Sequence, residues 1–522
     1  EINSHIELAS ELASIKNLKS LDLSYCRCHD FSWLNTLYDL RKLNLNHTFF
    51  SNLKQIFKLT FLEDLNISNS KVKDISPLKY FSELKELNLS FCQLNDVYPL
   101  IFCQKLEFLN IRNVQINNSD VFKELSGLKF LDVTKTGISD LTYLSDCKNI
   151  RSLSANENDI EFLEPLKELQ KLSDLYLLHN NISNLEPLTE LPELSDINLG
   201  YNKITDLSPI KKMKQLGTLW LLKNPIKNFD IISELKNIEY LSLGDTGVED
   251  IGFLGSLSNL IRLDLQNNGI VNIDAIKNLK KLRNISLENN KIKNIDALKN
   301  IKSLKKLSLQ YNLIEVLPEW IVEFDMEIKW NRFNNDDGFM NFFECPLVNP
   351  PIEIIKKGKR AISRYLNKIK KEGVDYFYEA KLTLVGEGNA GKTSLQKRLL
   401  NEKSSLPRQD KRTRGIEIKD WHFKKNINKS HIAHIWDFGG QDVYYPVHRF
   451  FITENSVFVL VASTRQTHHN FDYWIPTIYQ FGNKSPIILV QTCHEGNKIS
   501  WNDLGAYVGN PSFNIIKTQQ YP

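Results

Sequence analysis

A 22-residue period recurs fourteen times without an insertion between residues 8 and 317, and few folds tolerate so strict a period over such a length. Its Leu-x-Leu core runs from Leu21/Leu23 and Leu43/Leu45 through Leu175/Leu177 and Leu219/Leu221 to Leu307/Leu309. Three residues before each core lies an apolar side chain, as at Leu18, Ile150 and Leu304. Five after it lies another, as at Cys28, Ile182 and Ile314. A unit this short cannot bury its own apolar side chains and must stack on its neighbours. The spacing predicts one short parallel strand per repeat, followed by a return turn.

Three residues after the second Leu stand Asn158, Asn180, Asn202, Asn224, Asn268, Asn290 and Asn312. A side-chain amide both donates and accepts, so it can pair buried backbone groups left over where strand bends into turn. Cys26, Thr48, Ser70, Cys92 and Thr136 take that place in other copies, small and still polar. Val114 cannot substitute, so a bridging water or a local distortion is expected there. The pattern resembles a leucine-rich repeat of the short bacterial type. The expectation is an α/β chain whose residues 1–317 form a right-handed leucine-rich-repeat solenoid.

Two of the seven cysteines are thereby ladder residues, and the others form no closely spaced framework. No signal peptide and no apolar run long enough for a bilayer is evident, so the expected compartment is the cytoplasm. The net charge is +4, from 66 basic and 62 acidic residues, and no basic stripe interleaved with aromatics appears. Nothing asks for nucleic acid. The chain has no initiator Met, begins partway into a repeat and stops at Pro522; a fragment at both ends is the expectation.

The period fails after Leu317-Pro318. Residues 318–379 read as the solenoid end and a connector helix, whose Ile355, Ala361, Ile362, Tyr365, Leu366 and Ile369 follow helical spacing after Pro350-Pro351. Packing of that face on its neighbours is favoured over a membrane role. A third region, 380–522, opens on the strand candidate Ala380–Val385 and then Gly386-Glu387-Gly388-Asn389-Ala390-Gly391-Lys392-Thr393, with a helix from Ser394 to Leu400. This is a phosphate-binding loop in the context that the motif requires. Its glycines let backbone N–H groups curl around phosphate oxygens, and the helix N-terminus adds favourable partial charge. Lys392 is expected on the outer phosphates and the Thr393 hydroxyl on Mg²⁺, so Gly386 through Ser394 are candidate nucleotide-binding residues.

A second block lies at the end of strand candidate 432–436: Asp437-Phe438-Gly439-Gly440-Gln441, starting 45 residues beyond Lys392. Between the blocks stands Thr413-Arg414-Gly415-Ile416. Repeats, a helix after Pro-Pro, then a Ras-like domain with these two blocks resembles the Roco family, whose GTPase module is called Roc. The resemblance implies a P-loop GTPase that binds GTP or GDP with Mg²⁺ and hydrolyses GTP slowly. It implies that Asp437 holds Mg²⁺ through water, that the Gly440 amide meets the γ-phosphate, and that Gln441 orients the attacking water. Thr413 would sense Mg²⁺ and γ-phosphate, with Arg412, Arg414 and Arg449 as candidates for an assisting arginine. Family members usually continue into a COR domain that supports dimerisation; the region 380–522 is thus expected to be C-terminally incomplete, with any homodimer formed through segments absent here.

One motif departs from the family. Where Roc domains often carry Thr-His-x-Asp, this chain has Thr492-Cys493-His494-Glu495. Glu495 still offers a carboxylate to the guanine N–H groups, one methylene further out, while Cys493 gives little cover to the base. His494 beside Cys493 lacks a second ligand pair for zinc. A non-catalytic nucleotide-binding scaffold and a P-loop ATPase therefore remain as alternatives. Partner binding is expected on the concave strand face. Most repeats place Asp, Asn, Ser or Thr there, whereas Tyr176, Leu178, Trp220, Leu222 and Tyr240 form an aromatic cluster of the kind found at protein hot spots.

Overall fold

The computed structural model describes residues 17–116, 118–332, 337–373, 379–405, 415–426, 429–438, 451–464, 469–483 and 485–492, with Leu12, Ile15, Tyr507 and 515–517. The chain divides into two compact units, Glu1–Glu372 and Gly373–Pro522.

In the first unit every repeat contributes a three-residue strand centred on the first Leu of its core, from Ser20–Asp22 to Lys306–Ser308. Successive strands pair in parallel with an offset of one period, so that Leu219 stands between Ile197 and Leu241. The apolar series stack into one continuous core, in which Leu175, Leu219 and Leu263 are fully buried. The return path is a short 3-10 helix, such as Glu164–Glu168 or Ser208–Lys212. An Asp or Asn two residues ahead often starts it: Asp206 accepts from the Ser208 N–H at 2.8 Å and Asn272 from the Asp274 N–H at 2.7 Å. Such Asx turns supply the tight reversal that a 22-residue circuit needs.

The ladder amides close the bend as expected. Asn224 donates from Nδ2 to the Leu199 and Leu221 carbonyls at 2.8 and 3.0 Å, and its Oδ1 accepts from the Ile204 N–H at 3.0 Å. The hydroxyls of Thr48, Thr136 and Thr246 make the equivalent reach to Leu45, Val133 and Leu243. At Val114 the expected distortion is not found. Its own N–H turns back to the Ile111 carbonyl at 3.1 Å, the Gln115 amide donates to the Thr136 carbonyl at 3.3 Å, and strand register is kept.

The residue before each ladder position is a second constant, and sequence reading missed it. From Tyr25 to Tyr311 all fourteen are non-glycine residues in the left-handed region, with φ between 52° and 61°. This conformation costs an L-residue about 1–2 kcal/mol. It keeps the N–H on the neighbouring repeat, as Tyr201 N–H to the Leu222 carbonyl, while the next side chain turns into the core.

The sheet outlasts the period. Phe339–Asn341 pairs with Lys306–Ser308, and Glu327–Lys329 pairs outside it, giving sixteen strands among the described residues. The connector is two helices, Ile352–Ile355 and Lys359–Glu372, separated at Gly358 with φ 83°. Ile355, Ile362 and Leu366 are buried in the same core as the repeats, so the helical face packs. No described helix is long and apolar enough to cross a membrane.

Among the described residues the second unit holds a six-stranded sheet. Its order is Ile416–Asn426, Lys429–Phe438, Glu379–Val385, Ser456–Ser463, Ile487–Thr492 and Ile515–Lys517. All neighbours are parallel except the first two, which form an antiparallel pair. Trp474, Ile475 and Ile478 of helix Phe471–Phe481 are buried in a core with Phe458 and Leu460. The chain turns from one side of strand Glu379–Val385 to the other, and the carboxyl end of a strand at such a switch point is where open parallel sheets bind ligands.

Candidate nucleotide site

The phosphate loop leaves strand Glu379–Val385 at that switch point and enters helix Lys392–Leu400. Gly386 and Gly391 take φ of 133° and 98°, and Asn389 takes 60°, so the loop bends where L-residues resist bending. Space opposes a side chain as well, severely at Gly386 and less so at Gly391. A Cβ on Gly386 would stand 2.3 Å from the Val461 carbonyl oxygen, and one on Gly391 would stand 3.0 Å from Thr492 Cγ2.

Lys392 is buried, and its Nζ donates to the Gly386 and Glu387 carbonyls at 2.7 and 2.8 Å. Burial depresses its pKa to about 8, against the upward pull of Asp437 and Glu387. Thr393, one residue on, donates from Oγ1 to Asp437 Oδ2 at 2.6 Å, joining groups 44 positions apart. Asp437 is fully buried near the end of strand Lys429–Phe438, in register with Leu384 of the strand that feeds the loop. A buried ammonium, a hydroxyl and a buried carboxylate thus meet at the base of the loop. The two hard oxygens of Thr393 and Asp437 fit a Mg²⁺ ion that keeps several waters of its own. Ser394 lies in the first turn of the helix, half-buried.

Thr492 has a role that its motif did not reveal. Its Oγ1 donates to the Ala390 carbonyl at 2.8 Å, tying the end of strand Ile487–Thr492 to the phosphate loop. The only sequence signal was its place as the first residue of the Thr492-Cys493-His494-Glu495 block. Thr413, Gly440, Gln441, Cys493, His494 and Glu495 lie outside the described residues, as do Arg412, Arg414 and Arg449.

On the repeats, Tyr176, Leu178, Trp220 and Leu222 are half-buried and Tyr240 is 39% exposed. The glycines between them seat the leucines: a Cβ on Gly200 would stand 2.8 Å from Leu178 Cδ1, and one on Gly244 would stand 2.8 Å from Leu222 Cδ1. The Arg262 guanidinium lies 5.4 Å from the Trp220 ring centre. The structure therefore spreads these residues as a fitted floor with Tyr240 standing out of it.

Residues 381–495 match the family described as Ras of Complex, Roc, domain of DAPkinase. The chain carries a Roc domain behind leucine-rich repeats. This is the Roco arrangement, and residues 236–278 and 258–300 match leucine-rich-repeat pairs. A probable serine/threonine-protein kinase, pats1, of Dictyostelium discoideum is 32% identical over 169 residues, 28% of this chain and 5% of that protein. A Roc-COR-CHAT protease of an unknown prokaryotic organism is 31% identical over 180 residues, 30% of this chain and 16% of that protein. The chain thus spans a small part of the length of these relatives. Among solved structures, an internalin, InlF, of Listeria monocytogenes superposes with a TM-score of 0.52 at 29% identity, covering 57% of this chain and 88% of that one. A leucine-rich-repeat protein of Leptospira interrogans shares the fold, with a TM-score of 0.56 at 24% identity, over 69% of this chain and 90% of that one. Roc domains are Ras-like GTPases, so the second unit is a guanine-nucleotide module of the hydrolase type joined to a repeat fold that commonly binds proteins.

Proposed function

We propose that this chain is a slow GTPase switch whose repeat face holds a protein partner. The observation that carries the reading is the junction of Lys392, Thr393 and Asp437 at the carboxyl end of the central strand of a Roc domain. Loop N–H groups and Lys392 take the phosphates. Thr393 would hold Mg²⁺ directly and Asp437 through water, and the ion would supply neutralisation of the charge that develops on the transferred group. Thr413 and the Gly440 amide would contact the γ-phosphate, so that GTP would order the segments around Thr413 and Gly439–Gln441 and hydrolysis would release them. Gln441 orients the attacking water, and Glu495 with Thr492, Cys493 and His494 forms the guanine end. Tyr176, Leu178, Trp220, Leu222 and Tyr240 form the partner floor.

Single-turnover hydrolysis tests the switch. A water-positioning group acts in the transition state, so Gln441→Leu is expected to bind GTP as the unaltered chain does and to hydrolyse it about 100-fold more slowly. An unchanged rate removes Gln441 from the mechanism. No hydrolysis by the unaltered chain, with GTP bound, favours the non-catalytic scaffold.

A further inference from the structure

The aromatic floor carries charge of one sign. In each repeat the first and third strand residues, and the residue two beyond, share the concave face. At these positions in repeats 7 to 11 the only charged residues are Asp174 and Asp196. Strand pairing sets the two abreast, on adjacent rungs roughly 4.8 Å apart. Tyr176 follows Asp174 on the same face, and Thr218 stands between Asp196 and Tyr240. Asp196 is half-buried, still reachable from solvent, and its carboxylate makes no hydrogen bond among the described residues. Asp174, also half-buried, accepts from Ser173 Oγ at 2.5 Å. Neither forms an ion pair among the described residues, although the Arg151 carbonyl accepts from the Asp174 N–H at 3.0 Å. Elsewhere on the face carboxylates are matched: Asp64 meets Lys42 at 3.4 Å, and Asp264 takes Arg262, the next basic residue along the row, at 3.2 Å.

Like charges this close, partly withdrawn from water, repel more strongly than in bulk solvent. Burial first, and the Asp174 charge second, push the Asp196 pKa upward, and no cation opposes them. After burial, the Asp196 and Asp174 charges also raise the Tyr176 pKa, so that hydroxyl shares the same field. A cation laid between the two carboxylates relieves their repulsion and is attracted by both. A calcium ion would want about six to eight oxygens, more than two carboxylates supply. No group of metal-binding side chains converges among the described residues. A lysine or arginine fits better, because its apolar stem can lie on aromatic rings while its head meets the acids. On the reading that the floor holds a protein partner, we propose that Asp174 and Asp196 select a basic one: a segment that sets a lysine or arginine between the two carboxylates and an apolar side chain on Tyr176 and Trp220.

The test is selection of a phage-displayed library of random peptides on the full chain, followed by calorimetric titration of the recovered peptides. Peptides whose binding is lost to Trp220→Ala are expected to carry lysine or arginine beside an aliphatic or aromatic residue. Replacing that lysine by acetyl-lysine or that arginine by citrulline should weaken binding at least about tenfold, as should Asp174→Asn with Asp196→Asn in the protein. The peptide replacement uses the unaltered chain and stands whether or not the paired variant folds. Trp220-dependent peptides that lack a basic residue, or that are unaffected by either replacement, overturn the charge selection and leave the floor standing. If no recovered peptide depends on Trp220, the floor itself fails and the selection fails with it.

Discussion

Asn224 and Lys392 are both buried polar side chains that bond to main-chain carbonyls, and the two units use them in opposite ways. The Asn224 amide is neutral, meets the Leu199, Leu221 and Leu222 carbonyls and one N–H, and has counterparts one period away in the Asn202 amide on one side and the Thr246 hydroxyl on the other. It completes the solenoid's own backbone and leaves nothing for a ligand. Lys392 is a cation held where burial depresses its pKa to about 8, at the base of a loop shaped by two left-handed glycines. Its charge is costly in the protein alone and becomes useful against phosphate. Buried polarity in the repeats serves folding; in the Roc domain the proposed function assigns it to binding.

That contrast breaks most readily at Lys392→Ala. Two charge-assisted bonds to phosphate, at about 2 kcal/mol each, put the expected loss of GDP affinity near 1000-fold. Melting without nucleotide should change little, because relief of the buried charge offsets the loss of the donor to the Gly386 and Glu387 carbonyls. A large fall in melting temperature would make Lys392 a structural residue like the ladder amides.

Asn224→Ala should do the reverse. It strands the Leu199 and Leu221 carbonyls and the Ile204 N–H in the core, for an expected cost of about 2–3 kcal/mol by urea unfolding. GDP affinity should stay unchanged. The Val114 repeat shows the limit of this argument, since its backbone N–H partly replaces the amide.

A smaller effect separates the two by pH. With Lys392 at about 8 before binding and phosphate favouring the ammonium, GDP affinity should hold up to pH 8 and then fall by up to about tenfold per unit. The linkage to folding has the opposite sign. An unfolded lysine keeps its proton to about 10.4, so the depressed folded value makes this group's contribution to stability rise with pH between 8 and that value. Affinity that is flat to pH 9.5 would contradict the burial of Lys392.

What the sequence disclosed follows from repetition and local spacing. The strands and the ladder were legible because fourteen copies vary around one pattern. The left-handed position was not, since Tyr25, His47, Lys135, Glu157 and Asp245 share no chemistry and only their backbone is alike. The last two strands escaped because they leave the period and enter the sheet in reversed order. In the Roc domain, the loop and Asp437 were readable from motif and distance, and their junction at 2.6 Å follows. The Thr492 bond to Ala390 crosses 102 positions and has no local signature.

The most direct measurement is the affinity of the full chain for GDP and for ADP, with and without Glu495→Ala. In the proposed site guanine would present two donors to the Glu495 carboxylate, whereas adenine has no ring N–H there and would leave it facing an acceptor. The account predicts GDP binding at least about tenfold tighter than ADP, a preference lost in Glu495→Ala while phosphate-dependent binding persists. Equal affinity for the two nucleotides in the unaltered chain would contradict the guanine switch and favour a P-loop ATPase.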